Sequence, residues 1–483
     1  MRVLEHLEPT KVFYFFEEIC KIPHGSGNVD AISDYLKVFA EERGLKVIQD
    51  EWKNIIIIKD AVQGYEAEPA VILQGHMDMV AVHKPDLSID MTKEPLKLKI
   101  DGDRIYAEGT SLGGDDGIAV AYALAILDND SLKHPRLEVV ITVDEETGMD
   151  GARGIDLSML QGNRLLNLDS EEEGVFWTSC AGGAGVRCEK ALNSEEMVGN
   201  CFTITIGGLL GGHSGAEIHK ERGNANKLAG RLLWKLIAEG LDIGLVSCQG
   251  GVADNAICRE NQLTLVIKEA EIKAFQQITK AMELELIREL EGKDDGVFIK
   301  ISEEGMFKDV CLKGQQIKEI AAFLIAVPNG VQAMSVHMPE LVETSLNLGI
   351  LSIHNTMFRA DISVRSSIES SKWDLVERLK ALAQLSGMSV ECTGDYPGWA
   401  YRVDSPLREK MIDLYERMYG TKPGVKAIHA GLECGLLADK IKNLDCVSFG
   451  PDMANIHTTE ETLSISSTKR VWDYLIALLE QKD

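Results

Sequence analysis

The first third of the chain alternates short apolar runs with helical repeats, and this alternation narrows the possible folds more than any other feature. "NIIIIKD" and "AVILQGHMDM" are apolar runs of strand length, whereas "PTKVFYFFEEIC" and "VDAISDYLKVFAEERG" space their apolar residues as a helix does. "GDDGIAVAYALAILD" is apolar around nearly its whole circumference, which predicts a helix buried on every side. "RLEVVITVDEETG" and "NRLLNLDSEEEG" return to strand. Strands alternating with helices predict a doubly wound α/β layer structure, in which ligands sit beyond the carboxyl ends of the strands.

The middle of the chain differs in texture. "CFTITIGGL", "ENQLTLVIKEA" and "TMFRADISVRSS" read as strands. "NANKLAGRLLWKLIAEG", "EIKAFQQITKAMELELIRELEG" and "SSKWDLVERLKALAQLSG" read as amphipathic helices. After "GDYPGW" the pattern returns to helix, strand and a last helix. The expected organisation is an α/β domain in two parts, 1–184 and 398–483, interrupted by an inserted α+β domain over 185–397.

The 483 residues carry 76 acids against 50 bases, a formal charge of −26. Such a surface repels phosphate backbones and anionic lipid, so neither nucleic acid nor membrane is expected as a partner. Solubility is the plain reading of this charge; attraction of cations is the more specific one. The ten cysteines form no C-x-x-C pair and no dense cluster, which argues against a thiolate zinc site and a disulfide framework. The N-terminal residues mix acids into their apolar run, unlike a signal peptide, so a cytoplasmic protein is expected.

The strand-like runs stop in an unusual way. His76 and Asp78 end one; Asp115 and Asp116 precede the buried helix; Asp144, Glu145 and Glu146 follow "VVIT"; Asp169 follows "LLNL". In a doubly wound sheet these ends share one rim. Carboxylates gathered there repel each other unless a cation lies between them. Carboxylates alone suit magnesium or calcium, and added imidazole shifts the preference toward zinc or another first-row transition metal. His457, in "SFGPDMANIHTTEE", is a second candidate imidazole beyond a strand. Asp78, two residues from His76 on the same face, can fix the tautomer of that ring. Taken singly, each acid is more simply a cap or turn residue.

In this order, "GHMDMV", "GTSLGGDDGIA", "VDEETGMDGA", "NLDSEEEG", "GGHSGAEIHKERGNANK", "HAGLECG" and "FGPDMANIHTTEE" resemble the di-zinc amidohydrolases, a group that includes carboxypeptidases, aminoacylases and dipeptidases. The last three segments and the length are most similar to the bacterial aminoacyl-histidine (Xaa-His, or cytosolic non-specific) dipeptidases. The resemblance implies two Zn2+ per subunit, replaceable by Mn2+ or Co2+. It implies one site of His76, Asp115 and Asp169, and another of Asp115, Glu146 and His457, with Asp115 bridging. It also implies that Asp78 orients His76, that Glu145 is the general base, and that a cis peptide joins Asp115 to Asp116. The chain departs from the dipeptidase pattern at Gly114-Asp115-Asp116, where Ala-Asp-Asn is usual, and at "HTTEE".

For the inserted domain the resemblance implies a lid and a homodimer. His213, in "GGLLGGHSG", would reach a neighbouring subunit's site as an oxyanion donor. Asn255, Arg365 and Gly431 would contact a dipeptide substrate, the guanidinium gripping its carboxylate. His213, Arg365 and Gly431 also have plainer readings: a turn histidine, a surface arginine paired with Asp361 or a glutamate, a loop glycine. The expected activity is a metallopeptidase cleaving dipeptides, with Xaa-His leading. A tripeptidase, carboxypeptidase or aminoacylase of the same group is the nearest alternative. A magnesium-dependent phosphatase-like enzyme and a non-catalytic peptide binder are more distant ones.

Overall fold

The apolar runs of the first third become the middle of one sheet. The computed structural model describes residues 2–354 and 356–482. These form two compact units. One comprises Met1–Ser179, Tyr401–Ala427 and Leu432–Asp483; the other comprises Cys180–Ala400 and Ile428–Gly431. The transitions lie at 179/180 and 400/401, a few residues from the sequence boundaries at 184/185 and 397/398. The short return Ile428–Gly431 goes with the second unit, which sequence texture could not reveal.

In the first unit the strand order is Lys46–Gln49, Ile55–Lys59, Leu137–Thr142, Val71–His76, Arg164–Asn167, Asp445–Ser448, Val175–Cys180 and Gly424–Ile428. The central four, Leu137–Thr142 to Asp445–Ser448, are mutually parallel. Their carboxyl ends therefore lie on one rim, the premise of the metal argument. Parallel strands covered on both faces read as unbroken apolar runs, and Leu137–Thr142 is buried throughout, as is Ile55–Ile58 of its antiparallel neighbour. Helix Gly114–Leu127 is buried at every residue. Its first residues are not helical in backbone: Asp115 and Asp116 have ψ of 107° and 32°, and the peptide between them is cis.

The second unit carries a nine-stranded sheet ordered Phe298–Cys311, Glu195–Gly207, Asn261–Ile267, Gly244–Gly250, Val342–His354, Met357–Ser366, Gly182–Ala191 and Ser389–Tyr396, with Gly330–Met334 paired to Val342–His354. Its pairings are antiparallel. Helices Ala225–Ala238, Ile272–Glu289, Gln315–Ala326 and Glu369–Leu385 contribute Leu232, Phe275, Phe323 and Leu379 to its core. All ten cysteines are free. No helix of the described residues is long and apolar enough to cross a membrane.

Candidate metal centre

The rim of the parallel sheet gathers the acids that the sequence placed at strand ends. His76 closes Val71–His76, and its Nε2 lies 3.2 Å from Asp115 Oδ1 and 3.7 Å from Asp169 Oδ1. On the other side of Asp115, Oδ2 lies 3.0 Å from His457 Nε2. His457 Nε2 is also 2.8 Å from Glu146 Oε1. Asp115 thus turns one carboxylate oxygen toward each imidazole. His457 sits at φ 61°, a left-handed conformation that non-glycine residues seldom adopt.

Three groups of side chains here, two of them sharing His76, lie close enough together to hold a cation. His76, Asp116 and Asp169 form one; Asp115, Glu146 and His457 form a second; His76 also groups with Glu145 and Glu146. The implied ligands His76, Asp115, Glu146, Asp169 and His457 are all brought together. Asp116 is an addition: it is fully buried, its Oδ2 accepts the His76 N–H at 3.2 Å, and its Oδ1 has no partner.

The electrostatics fit a cation. Burial and then the Asp169 charge push the Asp116 carboxyl well above its ordinary range. Burial, with Asp115 and Glu145 adding to it, does the same to Asp169. Glu145 rises to about 7, mainly through burial. Hydrogen bonding to Asp115 and then Glu146 raises His457 to about 10. Burial opposes charge on His76, but Asp115 and Asp78 outweigh it and hold the ring well above its usual value. Protons on the two imidazoles thus stand in for positive charge that this donor set is built to hold. The chemistry of the donors, carboxylate with imidazole, suits zinc or a neighbouring transition metal.

Around the ligands lies a supporting layer. Asp78 is 3.4 Å from His76 Nδ1, and its carboxylate accepts Ser26 Oγ–H at 2.8 Å and the Glu145 N–H at 3.2 Å. The Glu461 carboxylate is nearly buried and accepts the N–H groups of Leu112, Gly113 and Gly114, at 2.8, 3.2 and 2.8 Å. It therefore ties the loop before Asp115 to the segment carrying His457. Glu433 lies wholly buried, accepting from Gln74 Nε2 and Thr142 Oγ1, both at 2.6 Å. Burial and the Glu145 charge raise it to about 8. None of Ser26, Glu433 and Glu461 was singled out from sequence. Glu461 had a signal, its place in "HTTEE" four residues after His457.

Gly75 shows how tightly this rim is built. Its backbone is not left-handed, yet a Cβ there would lie 2.4 Å from Asp116 Oδ2 and 2.7 Å from Ala119 Cβ. Gly75→Ala is expected to lower stability by about 1–3 kcal/mol, the usual cost of overpacking, and to reduce bound metal. Thermal melting and metal analysis check this. An unchanged melt with full metal would show that Asp116 can retreat freely.

The residues expected to hold substrate all fall in the second unit. His213 pairs with Ala256 in a short ladder, which sets it beside Asn255, and the Asn255 carbonyl accepts the Ser214 N–H at 2.8 Å. His213 Nδ1 accepts the N–H groups of Gly215 and Ala216, at 3.2 and 3.0 Å. In the neutral ring the proton is therefore on Nε2, leaving that atom as the donor. Arg365 is not a surface residue paired with Asp361. It is buried, and Asp361 is occupied by Arg187 and Arg359. Gly431 ends the Ile428–Gly431 return. His429, given no role from sequence, is buried there with Nε2 at 2.7 Å from Ser345 Oγ.

Comparison with known proteins decides the family. Residues 72–481 match the model of peptidase family M20/M25/M40. The chain belongs to this family. Cytosol non-specific dipeptidase of Escherichia coli is 37% identical to this M20 peptidase over 483 residues, covering 100% of the chain and 99% of the relative. The crystal structure of aminoacylhistidine dipeptidase from Vibrio alginolyticus is 37% identical, with a TM-score of 0.94 over 99% of this chain and 98% of that one. Aminopeptidase PepT from Bacillus cereus, 16% identical, shares the fold with a TM-score of 0.56 over 98% of both chains. As an M20 peptidase, the chain is a metallopeptidase of mixed α/β architecture.

Proposed function

We propose that this M20 peptidase is a cytoplasmic di-zinc dipeptidase, acting as a homodimer, with Xaa-His dipeptides as its leading substrates. The observation that carries the reading is Asp115, whose two oxygens face His76 and His457 separately. That is the placement a bridging carboxylate needs. The names of the E. coli and Vibrio relatives support the substrate class and the compartment.

Bound cations would polarise the scissile carbonyl and acidify a water. The chain's own groups do the rest. Glu145 takes the water's proton and returns it to the leaving amine. Asp78 holds the His76 ring. His213 offers Nε2–H to the oxygen on which negative charge develops. Asn255, Gly431 and Arg365 hold the dipeptide, and Arg365 takes its carboxylate.

Chelated protein should lose dipeptide hydrolysis and regain it on addition of zinc, with manganese or cobalt as partial substitutes. Gly-His, a tripeptide and an N-acetyl amino acid should be compared on the reconstituted protein. Preference for Gly-His supports the reading. Preference for the tripeptide or the acetyl amino acid would move the chain to another activity of the family.

A further inference from the structure

Arg365 carries a charge that the fold leaves unbalanced. The residue is 7% exposed, and the nearest acid on its own strand, Asp361, is already held by two other arginines. No carboxylate among the described residues pairs with it, and its Nε is buried without a partner. A guanidinium does not lose its proton in a protein, and a buried unpaired charge is costly. The place is built for an anion.

The groups around it are neutral and polar. Arg365 Nη1 donates to the Tyr396 hydroxyl at 3.0 Å. That bond uses a lone pair of the phenol and leaves its own O–H without an acceptor among the described residues. Ser345 lies opposite Arg365 across the paired strands, and its hydroxyl bonds His429. Burial and then the Arg365 charge lower both imidazoles, His213 below its usual range and His429 to about 3.

Tyr396 is fixed beforehand. Lys372, fully buried, donates to the Tyr396 carbonyl at 2.8 Å and is itself held by Asp395 at 2.6 Å. The ring lies against the Gly183 backbone, where a Cβ would come within 2.6 Å of Cε1, Cζ and the hydroxyl. A donor already held in place loses little freedom on binding.

We propose that Tyr396 is a substrate-binding residue whose hydroxyl, seated on Arg365, donates its proton to the same terminal carboxylate that the guanidinium pairs with. This rests on the dipeptidase reading and adds a specificity element to it. Both donors favour an acceptor-only group. An amide terminus presents N–H where one of these donors needs an oxygen, so the pair selects a free C-terminus. Lys372 is then a positioning residue, acting through the Tyr396 backbone.

The test is Tyr396→Phe, which removes one oxygen and keeps the ring. kcat and KM are measured for Gly-His and for its C-terminal amide on zinc-loaded protein. The acid-over-amide preference should fall about 10–100-fold, the worth of one hydrogen bond to a charged group. The change should fall mainly in KM, with the acid losing far more than the amide. Equal losses on both substrates, shared by kcat, would mean a structural role and overturn the proposal. Binding of the same two ligands to zinc-loaded Glu145→Gln protein, with and without Tyr396→Phe, separates the clamp from turnover. If the unmutated protein cleaves no dipeptide, the dipeptidase reading fails, and this binding pair still decides. Selective weakening of the acid supports the clamp; equal binding in both proteins, or no acid preference at the start, overturns it.

Discussion

Glu145→Gln should lose about 10²–10⁴-fold in turnover, the usual range for one general base, while keeping its metal. Glu145 and Glu146 open the short helical turn Glu145–Gly148. Glu146 reaches His457 at 2.8 Å, which ties it to the second cluster. Glu145 stands near His76 and Glu146 but lies outside the Asp115–Glu146–His457 group. Its backbone N–H rests on Asp78, which fixes where its carboxyl starts. Rates and metal per subunit, measured on the same preparation, check the assignment. Near-normal turnover with full metal would place the base elsewhere, and loss of metal would make Glu145 a ligand.

His213→Ala should lower turnover by about 10²–10³-fold, as for loss of one oxyanion donor, with metal content and dimerisation unchanged. The ring suits the proposed role, since two backbone N–H groups hold Nδ1 as the acceptor and leave Nε2 to carry the proton. For the proposed homodimer, delivery in trans is tested by mixing. His213→Ala subunits combined with Glu145→Gln subunits put both lesions on one site of each heterodimer and leave the other whole. Partial return of activity is expected. No return, with heterodimers demonstrated, would mean that His213 acts within its own chain or not at all.

The candidate ligands were legible as a set because most of them sit at the ends of apolar runs, while their division between two cations came from the family resemblance alone. A carboxylate or imidazole just past a buried strand is visible in a string of letters, and parallel pairing alone brings such ends to one rim. The supporting layer was less visible. Glu433 and Glu461 matter through partners some 290 and 349 residues away in sequence (the gap from Glu433 to Thr142 is 291), and no spacing rule links them. Edge strand Phe298–Cys311 escaped notice because solvent lets it carry Lys, Glu and Asp, which erases the alternating pattern. Val342–His354 mixes Asn, Ser and Thr into a largely buried strand and reads as neither period. The glycines near His213 also proved to be of two kinds. Gly211 and Gly212 have positive φ, whereas Gly215 is small because a Cβ would strike the His429 carbonyl at 2.3 Å. Sequence alone cannot separate conformational need from lack of room.

The Glu461 clasp has a consequence for the order in which the centre can come into being. Asp115 is synthesised early, but the loop that holds it is tied down by a residue 346 positions later. His457, Glu433 and the strand Asp445–Ser448 arrive in that same late stretch, after the whole inserted unit has been made. Closing so long a loop costs entropy before any contact repays it. A growing chain therefore carries His76, Asp116 and Asp169 long before it owns the second imidazole. Until that late stretch emerges the chain holds only the candidate clusters that share His76. Synthesis of the stretch carrying His457 and Glu461 is itself the step that completes the proposed site.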